Sequence, residues 1–168
     1  MQEDAANDYT FQVNYLGDEV GVTSPDGRKY GLRGVPSSMG RAFAKGRLRE
    51  FRNSDDQVLL RLEGGGVLVG RNYLLTDQDG QVTKISCTGV FRKRFVAQFP
   101  SGRTLTLVVP VLRGDMLASD SAGMTVPIHR VREDLFLARI PPSEDKPEIL
   151  AVLALVLRLR AGLSNDDR

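Results

Sequence analysis

The chain has no tryptophan, one cysteine and one histidine in 168 residues. A lone cysteine, Cys87, excludes an internal disulfide and favours a reducing compartment. A lone histidine, His129, without a Cys or His nearby in sequence, leaves the usual zinc spacings unfilled. The common catalytic signatures are missing too. There is no Gly-x-Ser-x-Gly elbow, no His-Glu-x-x-His pair and no phosphate loop ending in Gly-Lys-Ser/Thr. Asp77-Gln78-Asp79-Gly80 is a poor calcium loop. Counted from Asp77, the glycine position is Val82 and the bidentate glutamate position is Thr88, so a turn is the better reading. The acidic pairs Asp55-Asp56 and Glu133-Asp134 lie in turn contexts, where solvation accounts for them. No catalytic residues, metal site or cofactor are therefore expected, and an enzyme ranks last among the functions considered.

Long apolar runs are scarce as well. The one such run, Ile149 to Leu157, falls within a segment with helical signals. Pro147 suits a first turn, Asp145 and Glu148 have the spacing of a capping box, Arg158 and Arg160 suit a carboxyl end, and Gly162 suits a stop. From Pro147 to Ala161 there are 15 residues, roughly 22 Å of helix. A bilayer core needs ~30 Å, so no transmembrane span is expected. A helix apolar on every side must instead be surrounded. The acidic residues 1–8 lack the apolar run of a secretory signal and read as a disordered lead. Residues 9–163 read as one domain, with the central helix over 146–161 and a short tail over 164–168.

The rest of the chain reads as strands and turns. Ser24-Pro25-Asp26-Gly27, Asn53-Ser54-Asp55-Asp56, Asp77-Gln78-Asp79-Gly80, Pro100-Ser101-Gly102 and Asp120-Ser121-Ala122-Gly123 each precede a strand-like run. Asp-Gly suggests tight primed turns with positive φ. Leu105, Leu107 and Val109 alternate with polar Thr104 and Thr106, as a half-wet antiparallel strand requires. Five or six hairpins give about ten to twelve strands. A sheet that closes around a helix must be wide, because about eight strands leave room only for side chains. The expected fold is therefore mainly β, a closed antiparallel β-barrel of about twelve strands enclosing a hydrophobic C-terminal α-helix.

The repeated Asp-x-x-Gly hairpins, the Phe91-Arg92-Lys93-Arg94-Phe95 crossing and the terminal Leu/Val/Ala helix resemble the tubby C-terminal-like superfamily, especially its LURP-one-related and phospholipid-scramblase-like members. The resemblance covers roughly Tyr9 to Arg160. It implies a twelve-stranded barrel threaded by the C-terminal helix. It also implies phosphoinositide binding, membrane tethering or scramblase-type lipid association. The chain departs from the scramblase pattern in having no cysteine cluster for palmitoylation.

Net charge is only +2, yet between Arg28 and Arg52 eight cations face a single anion, Glu50. Arg92, Lys93 and Arg94 make a second knot. Arginine matches phosphate oxygens bidentately, so Arg92, Lys93 and Arg94 are expected to converge on a phosphate-sized site at the barrel rim. Ser37–Lys45 suits a short amphipathic helical turn, with Met39 and Phe43 four apart, and Arg41, Lys45 and Arg47 near them suit a membrane-facing patch. The leading expectation is a non-enzymatic, cytoplasmic module, peripheral at a membrane, that associates with anionic lipid headgroups. A protein-interaction or structural module is the alternative. Nucleic-acid binding ranks lower, because aromatics make up 7% of the chain and none is interleaved with cations at stacking intervals.

Overall fold

The computed structural model of the protein describes residues 8–35, 47–64, 72–88, 93–110 and 114–162. The chain forms β1 (Asp8–Asn14), β2 (Glu19–Thr23), β3 (Lys29–Gly34), β4 (Arg47–Asn53), β5 (Val58–Gly64) and β6 (Asn72–Asp77). It continues through β7 (Val82–Thr88), β8 (Lys93–Gln98), β9 (Thr104–Val109), β10 (Met116–Asp120), β11 (Thr125–Arg132) and β12 (Leu135–Arg139). A 3-10 turn at Pro142–Glu144 leads into helix α1 (Pro147–Gly162). Every strand pairs antiparallel with its sequence neighbours, and β1 pairs with β12 in register Phe11 to Phe136. The sheet is a closed barrel without an edge, which removes the usual route to strand-on-strand aggregation. Asp8, assigned by sequence to the N-terminal lead, opens β1 opposite Arg139.

The turns at one end share one design. Gly27, Gly80, Gly102 and Gly123 have positive φ, and each donates its N–H to the residue three before it. The two residues between have ordinary φ, so these are type I turns followed by a glycine bulge rather than the primed turns expected. Where the turn opens on Asp or Asn, that side chain explains the choice. Asp77 Oδ1 accepts the N–H groups of Asp79 and Gln81 at 2.9 and 2.8 Å. Asn53 and Asp120 do the same for the residues two and four beyond them. Such local acceptors preorganise the bend.

Alternation then sets the two faces of the wall. Phe11, Val20, Val22, Leu32, Phe51 and Leu105 point inward and are fully buried. Inside them stands α1. Nine consecutive residues, Ile149 to Leu157, are each at most 2% exposed. At 100° per residue these nine cover the whole circumference, so no face of that stretch meets water. Its large side chains (Ile149, Leu150, Val152, Leu153, Leu155, Val156, Leu157) contribute gross burial energy of about 10–20 kcal/mol. That rivals the entire net stability of an ordinary domain.

The helix start differs from the sequence expectation. Leu150 N–H donates to Lys146 O at 3.2 Å, which makes Lys146 the capping residue. Asp145 is drawn away to the rim, where its carboxylate pairs with Arg28. No helix among the described residues is long and apolar enough to cross a membrane.

Candidate functional site

The barrel has two unlike mouths. α1 enters at the mouth carrying the short turns and points its carboxyl end at the other. At the exit mouth lie the β1–β2 turn, the β11–β12 turn and the strand ends flanking residues 36–46, 65–71, 89–92 and 111–113.

Asp18 organises the exit mouth. Its φ of 50° is left-handed, a conformation that Asp tolerates better than most residues. The turn folds its carboxylate into the barrel, where the residue is 9% exposed. Arg158, from the last turns of α1, brings Nε to 2.8 Å of Oδ1. Arg49, from β4, brings Nε to 3.4 Å of Oδ2. Arg49 also donates Nη2–H to Oδ1 at 3.4 Å, but the Nε–H groups of both arginines are buried without a hydrogen bond among the described residues. Two buried guanidiniums thus share one carboxylate.

A third guanidinium lies at the same mouth on another side of α1, since residues two apart on a helix point about 200° apart. Arg160 donates Nη2–H to Gly114 O at 3.0 Å and lies 5.5 Å from the Phe136 ring centre. Its Nη1 is buried and has no hydrogen-bond partner among the described residues. Burial and then the nearby Arg130 cation push its pKa down, and Tyr15 and Asp115 oppose that only in part. Arg130 reaches Glu133 at 3.7 Å, and that carboxylate is mostly solvated. The negative end of the α1 dipole offsets part of this charge. It supplies no acidic oxygen for the orphaned donors. Buried donors without acceptors are costly, and a phosphate or carboxylate oxygen would satisfy them through charge-assisted bonds.

The entry mouth has the same residue types and the opposite accounting. Arg103 meets Asp120 at 2.6 Å and Glu144 at 2.7 Å. The Asp120 side chain is 1% exposed. Arg28 pairs with Asp26 and with Asp145, and the latter contact is the larger cause of its raised pKa. Each arginine here is saturated by carboxylates and tethers the approach to α1. A cavity of about 230 Å³ lies beside the tether, floored by Leu60, Leu75, Phe99 and Ile149 and rimmed by Asp77, Lys146 and Glu148.

Of the six site residues expected from sequence, Arg41, Lys45 and Arg92 lie outside the described residues, as does the expected helical turn over Ser37–Lys45. Arg47 is the first residue of β4, at the exit mouth. Lys93 and Arg94 open β8 at the same mouth, but strand alternation sends them to opposite faces. Lys93 shares the inward face with Phe95 and is half-buried, whereas Arg94 is exposed on the outer wall. The structure therefore does not bring Lys93 and Arg94 together on one phosphate.

The residues that do converge are Arg49 and Arg158, on Asp18, with Arg160 at the same mouth beside Gly114 and Phe136. A signal for them was present. Arg49 is two residues from Phe51, so an inward Phe51 implies an inward Arg49. Arg158 and Arg160 end a rod that the barrel must enclose, which places them at its mouth. His129 stands apart, exposed, with Nδ1 2.8 Å from Asp115. No known protein family, curated protein or solved structure matches this chain.

Proposed function

We propose that the barrel is a non-enzymatic module that associates with anionic phospholipid or phosphoinositide headgroups through its exit mouth, and that it is kin to the tubby-like barrels. The observation that carries this reading is the surplus of buried guanidinium N–H groups at this mouth, on Arg49 and Arg158 around the Asp18 carboxylate and on Arg160 beside Gly114. Composition supports it. The four segments whose flanking strand ends lie at this mouth contain Arg41, Lys45, Arg71, Arg92 and Arg113 and no acidic residue. They also contain Met39, Phe43, Leu68, Phe91 and Leu112. Cations beside apolar side chains suit the headgroup and acyl boundary, each basic residue near an anionic surface adding about 1 kcal/mol. A cytoplasmic leaflet, which is the anionic one, is the matching surface.

The test is co-sedimentation with vesicles of phosphatidylcholine alone, with added phosphatidylserine, and with added phosphoinositide. Binding to the anionic vesicles at low salt, weakened by salt and lost in Arg130→Glu/Arg160→Glu, is the expected result. Equal recovery on all three vesicles, or a stable salt-insensitive dimer without vesicle binding, overturns it in favour of a protein-interaction module.

A further inference from the structure

We infer that the exit mouth carries its own insertion edge, formed by Tyr15, Leu16 and Val131, which enters the acyl boundary of an anionic bilayer while neighbouring arginines stay among the headgroups. This rests on the headgroup reading above and adds to it how the mouth meets the membrane.

Leu16 is fully solvent-exposed at 102%, whereas Tyr15 is 37% and Val131 50% exposed. Single exposed leucines are ordinary, but these three sit on two turns that are tied together. Tyr15 donates its hydroxyl to Glu133 O, and Val13 N–H donates to Asp134 O at 2.8 Å. Val131 is offset from the pairing because the β11–β12 register shifts between Arg130 and Arg132. The Leu16 turn is also held from within. Gly17 N–H donates to Asn14 Oδ1 at 3.1 Å, and Arg158 Nη2 donates to Tyr15 O at 3.5 Å. The leucine is therefore presented on a braced tip, and no ordering of a loose loop is needed on contact.

Charge around the edge selects the partner. Arg130, Arg132 and Arg158 flank it. The acids of the rim each face a basic side chain: Asp134 meets Arg132 at 2.7 Å, Glu19 meets Arg33 at 2.9 Å, Asp18 meets Arg158 at 2.8 Å, Asp115 meets His129 at 2.8 Å, and the exposed Glu133 lies 3.7 Å from Arg130. An apolar tip ringed by cations and continuous with an orphaned guanidinium cluster matches a surface that is anionic outside and apolar just beneath. A protein groove would have to supply both features separately.

The chain's lack of tryptophan gives a direct probe, because Leu16→Trp is then the sole tryptophan. At a fully exposed site this substitution leaves the fold intact. On phosphatidylcholine/phosphatidylserine vesicles its emission should shift to the blue and be quenched by lipids brominated on the acyl chain. Inositol hexakisphosphate, which offers phosphate without a bilayer, should leave the emission unchanged. Leu16→Gln, which removes the apolar tip without changing charge, should lower vesicle partitioning about tenfold. Sedimentation on anionic vesicles without a blue shift, or with Leu16→Gln binding as wild type, overturns insertion and leaves the headgroup reading standing. Failure of the wild-type chain to sediment on any anionic vesicle overturns both.

Discussion

The two mouths use arginine in opposite ways. At the entry mouth Arg103 and Arg28 each sit between carboxylates, and the pairs hold the approach to α1 against the rim. At the exit mouth Arg49 and Arg158 share Asp18, and among the described residues Arg160 meets a carbonyl and an aromatic ring. The first arrangement is complete within the chain. The second leaves buried donors without acceptors among the described residues, so a group from outside gains more there. The lesson is that charge count alone does not mark a site, since arginines are prominent at both mouths. What separates them is whether the buried donors find acceptors.

The comparison presupposes that α1 threads the barrel, and the largest expected effect tests that. A chain ending at Lys146 loses the filling and about 10–20 kcal/mol of gross burial. It should lack a cooperative thermal transition and bind a hydrophobic dye strongly. A truncated chain with a sharp transition near that of the full protein would place the core elsewhere.

Matched substitutions at the two mouths come next. Arg103→Met strands Asp120 and Glu144 and should cost about 3 kcal/mol in urea unfolding, since breaking a buried pair leaves an uncompensated charge. Arg160→Met removes a cation that burial already disfavours. It loses one carbonyl hydrogen bond and one ring contact, and relieves the repulsion with Arg130. Stability should change by less than about 1 kcal/mol, while affinity for anionic vesicles falls. Equal destabilisation by the two variants would mean that both mouths are structural and would end the distinction.

Much of the fold is legible in the sequence because its signals are local. Each Asp or Asn that opens a turn bonds amides only two and four residues away, and each strand displays period two over five to eight residues. The helix is legible because all-round greasiness has one physical remedy, enclosure. The turn type was misjudged because an Asp at the first position and a Gly at the fourth favour type I with a bulge, whereas Asp-Gly read as a pair suggests the primed form. Asp145 was misassigned as a cap because its partner, Arg28, lies 117 residues away in sequence. The site was legible only in part for the same reason. Arg49, Asp18 and Arg158 come from β4, a turn and the helix, and closure of the barrel is what unites them. The run Arg92-Lys93-Arg94 looked like a cluster because its members adjoin in sequence, yet strand geometry separates Lys93 from Arg94.

The smallest expected effect concerns acid. Asp120 is pulled in two directions: burial raises its pKa, while the Met124 N–H at 2.6 Å and the Arg103 guanidinium lower it and prevail. Asp26, held by the Ser24 hydroxyl and then by Arg28, is lowered to about 2. A carboxyl whose folded pKa lies below its unfolded value of ~3.9 stabilises the fold above that value. The contribution is lost as pH falls through the folded pKa, for Asp26 between about pH 4 and about pH 2. Protonation of Asp120 and Asp26 takes one charged partner from Arg103 and one from Arg28, so acid should loosen the seat of α1. Asp120→Asn makes the difference measurable. Its urea midpoint should lie below wild type at pH 7, and the gap should narrow as both are titrated into acid below pH ~4. A gap that stays constant over that range would show that the Asp120–Arg103 pair adds nothing that depends on the charge of the carboxyl, and the entry mouth would then be held by packing around the 3-10 turn rather than by its ion pairs.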